Sequence, residues 1–206
     1  MKKCWFFGDS FTRGDNCYKG DSYYELTYKE GCKRWTEIVS EHLGFVEQNH
    51  AWGGNSNTHI LYQLISESPN IKPGDYVFVG DTRPPRVMFF NDDGEVRNVI
   101  NDTSLGYKKG DVDSILKYIV NVIVPQEKNY ESYFETQYRC VLDLLELKGV
   151  TTLFWKHSDF WYPKFKLETI ASATNGKIID GHYSWKAHET MANVIISRIN
   201  NSTKLL

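Results

Sequence analysis

KCWFFGDSF, residues Lys3–Phe11, is the stretch on which the reading of the fold turns. A run of aromatic and apolar residues breaks without transition into Gly8-Asp9-Ser10. The run reads as a short strand that ends at Gly8. Gly-Asp-Ser alone is no more than a turn. Its meaning depends on what the ends of the other strands bring beside it.

The segments that follow alternate in period. RWTEIVSEHLG sets Trp35, Ile38, Val39 and His42/Leu43 on one helical face, with Gly44 as the stop. FVEQN, residues Phe45–Asn49, is a second short strand. NTHILYQLI is helical through Ile60, Leu61, Leu64 and Ile65, and ends before the Pro- and Ser-rich SESPNIKPGD. DYVFVGD, Asp75–Asp81, is a third strand, almost continuously apolar. Helical stretches are expected over Asp113–Val124 and Tyr130–Lys148, with Gly149 closing the second. VTTLFWKH, Val150–His157, is a fourth strand and KIID, Lys177–Asp180, a fifth. A last helix over Ser184–Ile199 turns Trp185, His188, Met191, Ala192 and Ile195 inward, with Ser184 as its N-cap.

Strands that alternate with helices from end to end predict a three-layer α/β/α sandwich with a mainly parallel sheet of about five strands, flavodoxin-like in layout. Residues 1–206 read as one domain, a length that supports a single sizeable core. The irregular stretch at 83–110 reads as a flap or an inserted hairpin, because a long loop in a compact domain is usually functional.

Composition narrows the function classes. Hydrophobic residues make up 41% and charged residues 24%, which is ordinary for a globular chain. A formal net charge of −2 lacks the basic excess of a nucleic-acid binder. No apolar run approaches a membrane span or the core of a signal peptide. The four cysteines, Cys4, Cys17, Cys32 and Cys140, have neither CxxC spacing nor disulfide-scaffold density and read as free thiols. A cytoplasmic protein is the expectation, with leaderless export or a place in a viral particle compatible with the same features. No cofactor is implied: there is no Walker A or G-x-G-x-x-G sequence, no G-x-S-x-G elbow, and no zinc spacing around His182 and His188.

Ligands of open parallel sheets bind at the carboxyl ends of the strands. Those ends here carry GDS, NHAWGGNSN, GDTRPPR, KHSDFW and DGHYS. Together they supply a hydroxyl nucleophile, an imidazole, a carboxylate and glycine-borne N–H donors, the parts that acyl transfer requires. Trp52, Trp155, Trp161, Tyr183 and Trp185 fall near the same ends and suit flat sugar faces.

These motifs resemble the GDSL/SGNH hydrolases. FFGDSFTRG is similar to the family's first block, with Phe11 where Leu is commoner. NHAWGGNSN resembles the second block, with Asn49 followed five residues later by Gly54, and DGHYSWKAHETMA the last. The resemblance implies a serine esterase: Ser10 as nucleophile, His182 as general base and then acid, and Asp180 to orient the imidazole. Its oxyanion hole would be formed by Ser10, Gly54 and a side chain of the third block, here Thr82. Asp9 is read as fixing the turn. Two departures stand out. GDTR puts Thr82 where the family commonly has Asn, leaving Asn55 or Arg86 to compensate, and Asp180-Gly181-His182 is one residue tighter than the usual Asp-x-x-His. Trp52, Asn55, Arg86, His157 and Tyr183 complete the candidate pocket, and an ester, such as an acyl group on a carbohydrate, is the implied substrate. The same departures keep open a second reading, a binding module for glycan or lipid that has lost turnover, alone or within a larger viral assembly.

Overall fold

The structure, a computed structural model, describes residues 1–14, 31, 33–82, 86–90, 96–100, 127–156 and 185–202. The elements run β1 (Lys3–Phe7), α1 (Ser10–Arg13), α2 (Trp35–Leu43), β2 (Val46–Asn49), α3 (Asn57–Glu67) and β3 (Tyr76–Gly80). They continue with β4 (Arg86–Phe90), β5 (Val96–Ile100), α4 (Glu127–Leu147), β6 (Thr151–Trp155) and α5 (Trp185–Ser202). Four strands form a parallel sheet in the order β2-β1-β3-β6. The fold is therefore α/β with a central parallel sheet. The expected fifth strand at 177–180 and the helix at 113–124 lie outside the described residues.

Side-chain alternation along the strands separates two cores. Trp5 and Phe7 of β1 and Val77 and Val79 of β3 face one side, where they pack on Ile60 and Leu64 of α3 and on Tyr138, Leu142 and Leu145 of α4. Cys4, Phe6 and Phe78 face the other, against Trp35 and Val39 of α2 and Met191, Ala192, Ile195 and Ile199 of α5. Both faces of the sheet are covered, which is why β1 and β3 read as unbroken apolar runs. Burying Leu142 or Ile195 contributes about 1.5–3 kcal/mol each relative to exposure.

Two helical positions depart from expectation. His42 is exposed, as is Ile65 at 51%. Both sit in the last turn of a helix, α2 and α3 respectively; Leu43, read together with His42 on that face, does pack against the core. Trp155, expected near a sugar site, is core: it packs edge-on against Trp35 at 5.5 Å and is 6% exposed. His188 is fully buried, and its Nδ1 accepts the Trp35 N–H at 3.5 Å.

Within 83–110, β4 and β5 pair antiparallel, from Arg86 opposite Ile100 to Phe90 opposite Val96. Cys4 and Cys140 are free thiols, and burial pushes the Cys4 thiol up to about 12. Among the described residues no helix is long and apolar enough to cross a membrane.

Candidate active site

The strand order leaves β2 on one side of β1 and β3 on the other, so the chain reverses direction across the sheet between β1 and β3. A crevice at the carboxyl ends of the strands is expected at that switch point. Ser10 follows β1 there, and Thr82 follows β3.

Ser10 is the first residue of α1, is 4% exposed, and follows the N-cap Asp9. Asp9 Oδ1 accepts the Phe11 N–H at 3.1 Å, so Asp9 fixes the turn, as read from the sequence. Gly8 is required by close approach: a Cβ there would collide with the Thr12 side chain. The first N–H groups of a helix have no intrahelical acceptor, so the Ser10 amide belongs to the set left for another partner.

The second loop is fastened to the same strand end. Trp52 N donates to the Gly8 carbonyl at 3.3 Å, and Asn55 Nδ2 donates to the same oxygen at 2.8 Å. Gly54 lies between these two anchors with φ 73°, a left-handed conformation that glycine adopts without penalty. The turn from Trp52 to Asn55 is thereby drawn onto the residue two before Ser10. Asn55 itself is fully buried, and its amide also donates to Gln63 Oε1 at 3.1 Å. Asn49 braces the base of this loop by accepting the Ala51 N–H at 3.1 Å and donating to the Thr12 carbonyl at 3.2 Å.

Thr82 is fully buried, and both of its protons are engaged. Its hydroxyl donates to Asp9 Oδ2 at 2.8 Å, and its N–H donates to Asn57 Oδ1 at 2.9 Å. Asn57 returns a bond to the Thr82 carbonyl at 2.9 Å. The Tyr138 hydroxyl lies 2.9 Å from the Asn57 carbonyl and 3.2 Å from Asn57 Oδ1, with one proton to give to either. Burial, reinforced by the Asp81 carboxylate, pushes the Tyr138 phenol well above its ordinary value, so it stays protonated and able to donate.

Arg86 opens β4 and reaches back to this cluster. Its Nη1 donates to Asp9 Oδ2 at 3.0 Å, to Thr82 Oγ1 at 2.6 Å and to the Asn55 carbonyl at 3.2 Å. At the rim, Trp52 is 57% exposed and meets His59 edge-on at 6.0 Å, while His59 lies 6.4 Å from Tyr62. Burial lowers the His59 pKa below its ordinary value.

The structure therefore brings together Ser10, Gly54, Asn55, Thr82 and Arg86, with Trp52 on the adjoining surface. His157, Asp180, His182 and Tyr183 lie outside the described residues. Sequence reasoning missed Asn57 and Tyr138 as supports of Thr82. Asn57 closes the quoted NHAWGGNSN run, but Tyr138 is an ordinary apolar-face position of α4 and carries no local signal. Among the described residues no group of His, Cys, Asp and Glu is disposed to hold a metal ion.

No family model matches the sequence, and no curated protein matches it. Among solved structures, the chain is similar to an acetyl xylan esterase from the rumen bacterium Butyrivibrio proteoclasticus. That likeness has 11% identity and a TM-score of 0.46, and covers 100% of this chain and 65% of the esterase. It is similar to a member of the lipolytic G-D-S-L family from Veillonella parvula at 14% identity and a TM-score of 0.39, over 96% of this chain and 97% of that one. A Bacillus subtilis protein is similar at 16% identity and a TM-score of 0.40, over 93% of this chain and 41% of that one. At such values the likenesses identify no reaction, and the chemistry has to be argued from the side chains.

Proposed function

We propose that the protein is a serine hydrolase that cleaves an ester through an acyl-enzyme. The observation that carries this reading is the position of Ser10, opening α1 at the carboxyl end of β1 beside the glycine turn that Gly8 holds in place. Ser10 Oγ attacks the ester carbonyl while His182 takes its proton, and Asp180 orients the imidazole. The negative charge that develops on the carbonyl oxygen is met by the backbone N–H groups of Ser10 and Gly54. With its hydroxyl proton given to Asp9, Thr82 is read as supporting this hole from behind. His182 then protonates the leaving alkoxide. Water, deprotonated by His182, attacks the acyl-enzyme carbonyl, and Ser10 leaves with its proton restored.

The leaving group is read as carbohydrate. Trp52 exposes a flat indole beside Gly54, a surface suited to a sugar ring. His157 and Tyr183 complete the proposed pocket, with Asn55, fully buried, and Arg86, bonded to Asp9 and Thr82, behind it.

Labelling with a fluorophosphonate probe and turnover of p-nitrophenyl acetate test the proposal. The wild type is expected to take one label at Ser10, and Ser10→Ala to lose both label and turnover. Folded wild-type protein that takes no label at Ser10 rejects the reading. The engagement of Thr82 favours one competing reading, a glycan- or lipid-binding module without turnover. It requires binding that survives Ser10→Ala with ester hydrolysis at background in both proteins.

A further inference from the structure

One carboxylate, Asp9, holds the nucleophile turn from both of its oxygens. Oδ1 caps the Phe11 N–H, and Oδ2 accepts from the Thr82 hydroxyl and the Arg86 guanidinium. The three acceptors of Arg86 Nη1 come from three different loops: Asp9 after β1, Asn55 after β2 and Thr82 after β3. A nitrogen with two protons and three acceptors shares one proton between two of them, a geometry suited to a planar, fixed donor. The pair is largely removed from water, with side chains 15% and 9% exposed. Arg86 itself belongs to the β4–β5 hairpin, outside the main sheet.

We infer that Arg86 is a positioning residue for Ser10, acting through Asp9, and that the β4–β5 hairpin is a working part of the site. Arg86 holds Asp9 in the rotamer that caps Phe11 and keeps the Thr82 hydroxyl turned onto the same carboxylate. Ser10 is covalently next to that carboxylate, so the guanidinium sets where the nucleophile points. All three bonds come from the single nitrogen Nη1, so lysine would keep the charge but has to bring a shorter, flexible stem to that same point.

The kinetic arm of this inference rests on the hydrolase reading, whereas its structural arm does not. Arg86→Ala, Arg86→Lys and Arg86→Gln in the full chain are compared with wild type by kcat and KM on p-nitrophenyl acetate. Fluorophosphonate labelling rate and hydrogen exchange at the Phe11 amide are read on the same proteins. Because misplacement of a reacting group by about 1 Å costs on the order of 100-fold, Arg86→Ala is expected to lose kcat on that scale with KM unchanged. The Phe11 amide should exchange faster while amides of α3 and α4 keep their protection, and added guanidinium ion should restore part of the lost rate. A folded variant with wild-type kcat and Phe11 exchange overturns the inference. Loss of rate with uniformly faster exchange and no rescue by guanidinium also overturns it, as a stability effect alone. Wild-type protein that takes no label at Ser10 sinks the hydrolase reading, and Phe11 exchange then decides the inference by itself. Arg86→Gln keeps most of the side-chain volume and supplies the exchange measurement should Arg86→Ala fail to fold.

Discussion

Two buried aspartates mark the opposite ends of the sheet. Asp75 lies just before β3, at the amino ends of the strands, and is 3% exposed; Asp9 lies just after β1, at the carboxyl ends, and is 6% exposed. Asp75 accepts the Lys3 N–H at 2.9 Å, the Trp5 indole N–H at 3.0 Å and the Lys72 N–H at 3.1 Å. All three donors belong to the beginning of β1 or to the short turn before β3, so Asp75 pins strands together. Beyond the Phe11 N–H of its own turn, Asp9 takes donors from the loop after β3 and from the hairpin beyond it. The two residues share type and burial but differ in surroundings. At the amino edge the carboxylate ties a strand to the turn before its neighbour, at the carboxyl edge it ties the loops that follow the strands, and it is a fastener at one and a positioning group at the other.

The sharpest way to break this comparison is a matched pair of variants. Asp9→Asn is expected to reduce ester turnover about 100-fold by releasing the Ser10 turn. Asp75→Asn is expected to leave turnover per folded molecule unchanged while lowering the unfolding free energy by about 3 kcal/mol, the scale of a lost set of charge-assisted bonds. Kinetics normalised to labelled Ser10, alongside urea melts, measure both. Equal losses of turnover would erase the distinction between the two edges.

A smaller effect is expected one layer further out. Tyr138→Phe removes the hydroxyl that holds Asn57, at a cost of about 1 kcal/mol in urea melts. If Thr82 is held through Asn57, kcat falls as well, though by less than in Asp9→Asn; an unchanged kcat would confine the working edge to Asp9, Thr82 and Arg86.

The smallest expected effect is a pH dependence. His59 has its pKa lowered by burial in the folded state, so the unfolded chain binds the proton more readily. Its contribution to stability is complete above the ordinary value of 6.5 and is lost as pH falls from there toward the lowered native value. His50 acts in the same direction, lowered first by burial and further by Lys3, with Glu67 opposing. Urea midpoints taken from about pH 8 down to about pH 5 should fall, and His59→Gln should flatten the slope. A slope unchanged in that variant would assign the dependence elsewhere.

Much of the sheet was legible because burial on both faces leaves a plain mark. KCWFF and YVFVG need no partner to be read as strands, and Gly44 and Gly149 announce the ends of α2 and α4. In the last turns of α2 and α3 the stripe was drawn one residue too wide: Leu43 packs inward and His42 does not, and Leu64 is buried while Ile65 is exposed. The site was legible as a set of strand ends, with Ser10 and Gly54 brought to one edge. What escaped was the wiring. Asp9 and Arg86 are separated by 77 positions, and no local pattern links a turn to a hairpin that far along the chain. Thr82 could be seen to replace an asparagine, but the destination of its proton depends on a carboxylate 73 positions away.

Gly8 carries no functional group, yet Thr12 leaves no room beside it for even a methyl. Random mutagenesis of this protein should therefore uncover inactive clones at position 8 that contain every reacting side chain intact. For anyone redesigning the substrate range, the Trp52 surface offers freedom to vary, whereas the hinge between β1 and α1 has none: it has to be inherited whole.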